Sequence, residues 1–271
     1  MTLDQWISTH PYLQPIGEFY SRVTTAVKQV PTTTIQIPNW ADYEEDYEQG
    51  LPLFKSARVA VDYTELARII SSLLEQLSSG SPSAALTQEC RELGRQFRIN
   101  TERLERALEG LLVDDESGPI HPGLFRHVAW RAMVQYFGPL LSSFQKWRDE
   151  ESWSNPYCPV CGSRPSMTQL ITAESSRRRV LVCGCCGTRW NFPRMRCPFC
   201  ENANDHRLFV LAIQGEKHLR IDYCDACSGY LKTYVGEGEE KVLLADWTSL
   251  HLDLLAQDRG LKRLAASLYD L

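Results

Sequence analysis

Long apolar runs are missing from this sequence. Nowhere in its 271 residues does one approach the roughly 18 residues that a membrane-spanning helix needs. The opening stretch MTLDQWISTHPYLQP lacks a basic start followed by an apolar segment, so no secretory signal is expected. These two absences predict a cytoplasmic protein with no membrane insertion. Excess charge is missing as well: the formal net charge is −5, which argues against a general nucleic-acid or membrane binder. Hydrophobic residues at 43% and charged residues at 23% exclude a disordered, collagen-like or coiled-coil chain. There is no Gly-rich phosphate loop, nucleophile elbow or HExxH pattern, so no catalytic residue is nominated and no enzyme is expected. Methionine is scarce, at four. Cysteine is not: there are ten, and all but one fall between Cys158 and Cys227. In a reducing compartment, closely spaced cysteines indicate metal ligation rather than disulfides.

The averages hide two unlike halves. Residues 1–150 carry a net charge of −6 and residues 151–271 a net of +1. Within 158–200 there are seven arginines and a single acid, Glu174. Apolar residues recur at three- and four-residue steps through much of 14–150, the helical period. The pattern predicts a helix from Ile16 to Val30 stopped by Pro31, then an extended polar loop. Asp62 and Glu65 resemble a capping box ahead of Leu66, Ile69, Ile70, Leu73, Leu74 and Leu77. The helix they open should end in the Ser78–Pro82 linker. Two further helices are expected at about Ser83–Phe97 and Thr101–Leu112, separated by Asn100. A long one should run from Gly123 towards Arg148, kinked or broken at Gly138-Pro139 because proline lacks the amide donor. His121 and His127 have no cysteine or carboxylate at ligand spacing and read as surface or core histidines. Cys90 reads as a small buried hydrophobe.

The chemistry lies in four CxxC hooks: Cys158–Cys161, Cys183–Cys186, Cys197–Cys200 and Cys224–Cys227. Two residues between cysteines let one tight turn aim both sulfurs at one ion, and two hooks complete a tetrahedral thiolate set. The spacers within each sequential pair are long enough for a β-hairpin, and the link from Cys186 to Cys197 is short. One site is therefore predicted as Cys158, Cys161, Cys183 and Cys186, the other as Cys197, Cys200, Cys224 and Cys227. Gly162 and Gly187 follow two of the hooks and can take the left-handed backbone such knuckles need. The other two are followed by Glu201 and by Ser228-Gly229 and look less regular. Strand-like runs fill the spacers at Val180–Val182, Arg189–Phe192, Leu208–Ile213, Leu219–Ile221 and Tyr230–Val235. Cys185 can also reach the first ion, but the CxxC geometry favours Cys183 and Cys186 and leaves Cys185 pointing away. Four thiolates accept either zinc or a single iron, so two metal ions, iron or zinc, are expected as cofactors.

The succession CPVCGSRP, LVCGCCGTRW, RMRCPFC and YCDACSGYLKTY, with the tail ADWTSLHLDLLAQDRG, resembles the FdhE family of formate dehydrogenase accessory proteins. The specific part of the resemblance is Tyr157–Gly260. Cys158, Cys161, Cys183, Cys186, Cys197, Cys200, Cys224 and Cys227 match the family's four hooks, and Cys185 is additional to them. The resemblance implies an α+β chain: an α-helical domain over 1–152, a first rubredoxin-like (zinc-ribbon-like) metal module over 153–193, and a second over 194–271 with a C-terminal helix. It also implies a cytoplasmic maturation factor. The implied partner is the molybdenum-containing catalytic subunit of respiratory formate dehydrogenase, bound before its export by the twin-arginine route. Iron has been associated with such hooks. Two other readings stand beside this one. Arg177, Arg178, Arg179, Arg189, Arg194 and Arg196, interleaved with Trp190 and Phe192, would suit a zinc-ribbon nucleic-acid binder. Rubredoxin-like hooks loaded with iron would suit an electron-transfer protein.

Overall fold

The computed structural model describes residues 2–79, 84–99, 101–113, 122–173, 176–238, 241–265 and 268. His121, Asn100, Glu174 and the end of the Ser78–Pro82 linker lie outside the described residues. The described helices are α1 (Leu3–Thr9), α2 (Gln14–Gln29), α3 (Glu44–Glu48), α4 (Tyr63–Leu77), α5 (Ala84–Ile99), α6 (Thr101–Val113), α7 (Pro122–Tyr136) and α8 (Gly138–Trp147). Strands β1 (Pro165–Ala173), β2 (Ser176–Cys183), β3 (Arg189–Asn191), β4 (Leu208–Ala212), β5 (Leu219–Cys224) and β6 (Tyr230–Val235) follow, then α9 (Leu250–Gln257). The chain is thus α+β, with a helical N-terminal region and a later sheet. It divides into two compact units: Gln14–Glu45 with Leu53–Arg148, and Met1–Leu13 with Asp46–Pro52 and Asp149–Leu271.

The helical unit forms where the apolar period is strongest. In α4, Asp62 caps the first turn by accepting from the Glu65 amide at 2.9 Å. Leu66, Ile69, Ile70, Leu73, Leu74 and Leu77 are all buried. Only half of the expected capping box is present. The Glu65 carboxylate instead accepts from the Thr33 amide at 2.9 Å and pairs with Arg68 at 2.7 Å, tying the loop after α2 to α4. The chain breaks between α7 and α8 at the Gly138-Pro139 step, with proline in the first turn of the new helix, where its missing amide costs no bond. Cys90 is wholly buried, and burial pushes its thiol up to about 11. His127 is buried with its ring 5.1 Å from Phe19.

The second unit is built on one six-stranded sheet in the order β3-β2-β1-β6-β5-β4. Each hook pair therefore has its own antiparallel three-stranded sheet, β1-β2-β3 or β4-β5-β6, and the two are fused by parallel pairing of β1 with β6. Met167 faces Lys232 and Leu170 faces Val235 across that seam. Strand β1 is absent from the sequence expectation, and so is α1. The latter is opened by a reciprocal cap in which Thr2 and Gln5 exchange side-chain and backbone bonds. It is anchored by the buried Trp6 ring, whose N–H donates to the Thr248 carbonyl at 3.0 Å.

Beside the seam lies a closed charge network. Lys232 is 1% exposed, and its ammonium sits 2.7 Å from carboxylate oxygens of both Asp246 and Asp253. Arg263 reaches the same two carboxylates at 2.6 and 2.8 Å, and the Tyr230 hydroxyl donates to Asp253 at 2.7 Å. Two cations and two anions balance, which is the condition under which buried charges are tolerated. The network fixes α9 and the Arg263 segment on β6.

Candidate metal centres

Two backbone hydrogen bonds shape the first three hooks in the same way, and the fourth shares one of them. In the first, the amide after Cys161 donates to the Cys158 carbonyl at 2.9 Å, and the Cys158 amide donates to the Ser163 carbonyl at 2.9 Å. Cys183 repeats both bonds with Gly187 and Thr188, and Cys197 repeats both with Glu201 and Asn202. Cys224 donates equivalently to Gly229. The turn requires left-handed backbone just after its second cysteine. Gly162 and Gly187 supply it at φ +79° and +75°, and Glu201 and Ser228 adopt it at +57° and +60°. The two hooks that look less regular in sequence are thus conformationally the same. Their non-glycine residues carry a backbone strain of about 1–2 kcal/mol.

The hairpins bring the hooks together in sequential pairs. Sγ atoms of Cys158, Cys161, Cys183 and Cys186 lie within 4.8 Å of one another, and so do those of Cys197, Cys200, Cys224 and Cys227. Sulfur–sulfur separations are 3.5 Å for Cys158–Cys186 and for Cys161–Cys183, and 3.7 Å for Cys161–Cys186. In the second cluster they are 3.8 Å for Cys197–Cys227 and for Cys200–Cys224. A tetrahedron with metal–sulfur bonds of about 2.3 Å has edges of about 3.8 Å, so both clusters fit a four-thiolate ion and can hold one. The amides of Val160, Phe199 and Gly229 point at Cys158, Cys197 and Cys227 sulfurs at 3.4 Å, a pattern that stabilises thiolate charge. Cys185 is buried but is not among the converging sulfurs.

The clusters differ in access. All four cysteines of the first are buried, whereas Cys200 is exposed and Cys227 half-buried in the second. Burial pushes the Cys158 thiol well up. Cys186 resists the same effect because bonds from Cys158, Cys161, Cys183 and Thr188 hold it down. The Thr188 hydroxyl lies 3.1 Å from the Cys186 sulfur, a contact that spacing alone does not reveal.

Residues 157–194 match the model of the FdhE central domain. The chain is 34% identical over 133 residues to the protein FdhE homolog of Aquifex aeolicus, covering 47% of each. It is 34% identical over 140 residues to the protein FdhE of Salmonella choleraesuis, covering 49% of this chain and 44% of that one. Over this part the chain is similar to FdhE proteins. The matched region spans about half the length of these curated relatives. By fold, the chain is similar to the FdhE protein of Pseudomonas aeruginosa, with a TM-score of 0.66 at 22% identity over 97% of this chain and 91% of that one.

Outside the clusters, the chain places its arginines unevenly. Arg177, Arg178 and Arg194 are exposed. Arg179 is buried, donates to the Arg196 carbonyl at 3.0 Å and lies 6.0 Å from the Phe192 ring centre. Arg189 bonds Gln169, and Arg196 pairs with Glu201. Trp190 is 1% exposed with its N–H on the Asn155 carbonyl, and Phe192 is buried. The two rings that would have to stack on bases are therefore core residues. A cavity of about 210 Å³ opens beside the second cluster, lined in part by Met195, Phe199, Phe209 and Asp222. No helix among the described residues is long and apolar enough to cross a membrane.

Proposed function

We propose that this chain is an accessory factor for formate dehydrogenase that holds one metal ion in each four-cysteine cluster and is not itself an enzyme. It binds the molybdenum-containing catalytic subunit in the cytoplasm, before that subunit is exported. The observation that carries this reading is the pair of four-cysteine clusters on one sheet, in a chain whose central segment matches the FdhE central domain. With four thiolates already converging, neither cluster leaves a coordination position for a substrate or a reactive water. The ions then act by fixing the hairpins and giving the client a rigid surface, since structural metal binding is coupled to folding. Cys158, Cys161, Cys183 and Cys186 hold the first ion and Cys197, Cys200, Cys224 and Cys227 the second. Zinc or iron satisfies either set.

The test is deletion of the gene in the native host, with the client subunit still expressed, followed by assay of formate oxidation. Loss of activity, restored by the wild-type chain but not by Cys158→Ser, is expected; normal activity in the deletion overturns the reading. Capture of the chain from the same host, with metal analysis of the complex, should return the catalytic subunit together with iron or zinc. The exposure of Cys200 favours a second reading, electron transfer through the outer cluster. That reading requires iron and a reversible redox wave, and full activity of a protein loaded only with zinc excludes it.

A further inference from the structure

Three residues far apart in sequence meet on the sheet-bearing unit. His10 lies at the C-terminal cap of α1, Glu216 in the turn between β4 and β5, and His251 in the first turn of α9. Their ligand atoms lie within 4.8 Å of one another. His251 Nε2 is 2.9 Å from Glu216 Oε1, and His10 Nε2 is 3.8 Å from the same oxygen. The two imidazoles stack with centroids 5.5 Å apart, and the Tyr12 ring stands edge-on to both, at 5.9 and 6.3 Å. Each of the three side chains is about one-fifth exposed or less, so the cluster is sheltered but reachable from solvent.

We propose that His10, Glu216 and His251 form a third metal site, open in type, which takes a divalent first-row ion of the zinc class. The orientation of His10 supplies the first argument. Its Nδ1 lies 3.0 Å from both the Trp6 carbonyl and the Thr9 hydroxyl, which hold the ring with Nε2 turned towards Glu216. A backbone carbonyl holding the far nitrogen is the outer-shell arrangement that orients metal-binding histidines. A second argument is electrostatic. Two imidazoles and one carboxylate converging on a common point form a donor set of net negative charge when the rings are neutral, which a divalent cation balances. Third, the spacing is right. Ligands at about 2.0–2.2 Å from one tetrahedral ion stand about 3.3–3.6 Å apart, and the observed 2.9 and 3.8 Å bracket that range. The turn that carries Glu216 is defined, with Gly215 at φ +91° and the Glu216 amide on the Ile213 carbonyl at 3.1 Å.

The donor set sets this site apart from the cysteine clusters. Two imidazoles and one carboxylate leave at least one position for water or an incoming ligand, whereas four thiolates leave none. Borderline ions with nitrogen and oxygen preference belong here.

The experiment uses the full chain with both cysteine clusters filled by zinc, titrated with further zinc and then freed of unbound ion. The wild type should retain a third equivalent. His10→Gln and His251→Gln should each weaken it by more than the roughly 10–100-fold that loss of an outer-shell partner costs, while the cysteine-bound ions remain. With cobalt(II) in place of the added zinc, the third equivalent should show weak visible bands without sulfur-to-metal charge transfer. Glu216→Gln, which keeps a hydrogen-bond acceptor for His251, guards against a folding artefact. It should lose the third ion while melting like the wild type in the presence of chelator. Retention of two equivalents by the wild type, or a third that persists in the His10→Gln, His251→Gln double variant, overturns the proposal.

Discussion

Replacing Lys232 by methionine keeps the side chain's length and removes its charge. In the native network Lys232 and Arg263 offset Asp246 and Asp253, so the variant leaves one net negative charge in a site where Asp253 and Lys232 are 2% and 1% exposed. Breaking a buried pair by removing one partner costs about 3–5 kcal/mol, because the remaining charge is neither solvated nor matched. For a chain of this size that corresponds to a fall in melting temperature of about 6–20 °C. The dependence on pH has a definite sign. Burial alone would raise the Asp246 carboxyl, but the charges of Lys232 and Arg263 outweigh it and hold the group well below the ordinary carboxylate range. A carboxyl depressed in the folded state contributes stability above its unfolded pKa of about 3.9 and loses that contribution as pH falls further. In Lys232→Met the Asp246 carboxylate can take up a proton at higher pH, so the gap between variant and wild type should narrow from pH 7 to pH 4. Adding Asp253→Asn restores neutrality and should recover part of the loss. Urea denaturation of the metal-loaded proteins at several pH values measures all of this. A cost below about 1 kcal/mol at pH 7, or a gap that widens on acidification, refutes the reasoning.

The left-handed residue after each hook is open to a paired test. Ser228→Gly should stabilise the loaded protein by about 0.5–1 kcal/mol by removing strain at φ +60°, and Gly162→Ala should destabilise it by at least as much, both read by denaturant midpoint. The contrast in burial between clusters predicts ordered metal loss. Chelator should strip the cluster that contains exposed Cys200 well before the buried one, and time-resolved metal analysis should show two phases; a single phase would count against the assignment.

Spacing made the hooks and their pairing legible, because two sulfurs on one turn and a hairpin-length spacer leave little geometric freedom. Period made α4 and the break at Gly138-Pro139 legible. Strand β1 was hidden for a physical reason: both of its faces are buried, so apolar and polar residues do not alternate. Its polar side chains are satisfied from elsewhere, Thr168 by the Val180 carbonyl at 3.0 Å and Gln169 by the carbonyls of Gly236 and Gly238. Lys232 was equally hidden, since a lysine within a strand pattern ordinarily faces water and only Asp246, Asp253 and Arg263 make its burial tolerable. The convergence of His10 with Glu216 and His251 has no local signal at all. It depends on α1 packing with the sheet-bearing unit through Trp6 and Thr248.

The parallel seam between β1 and β6 makes the two halves of the sheet a translational repeat rather than a two-fold pair. Strand directions run in the same sequence across β3-β2-β1 and across β6-β5-β4. A join of this head-to-tail kind sets no limit on its own length. The outer edge of β4 corresponds to the edge of β1 that is already paired, and the outer edge of β3 corresponds to that of β6. What halts growth is local: β3 is only three residues long, too short a template for another strand to read. Lengthening β3 would remove that stop and turn a finite sheet into one able to polymerise.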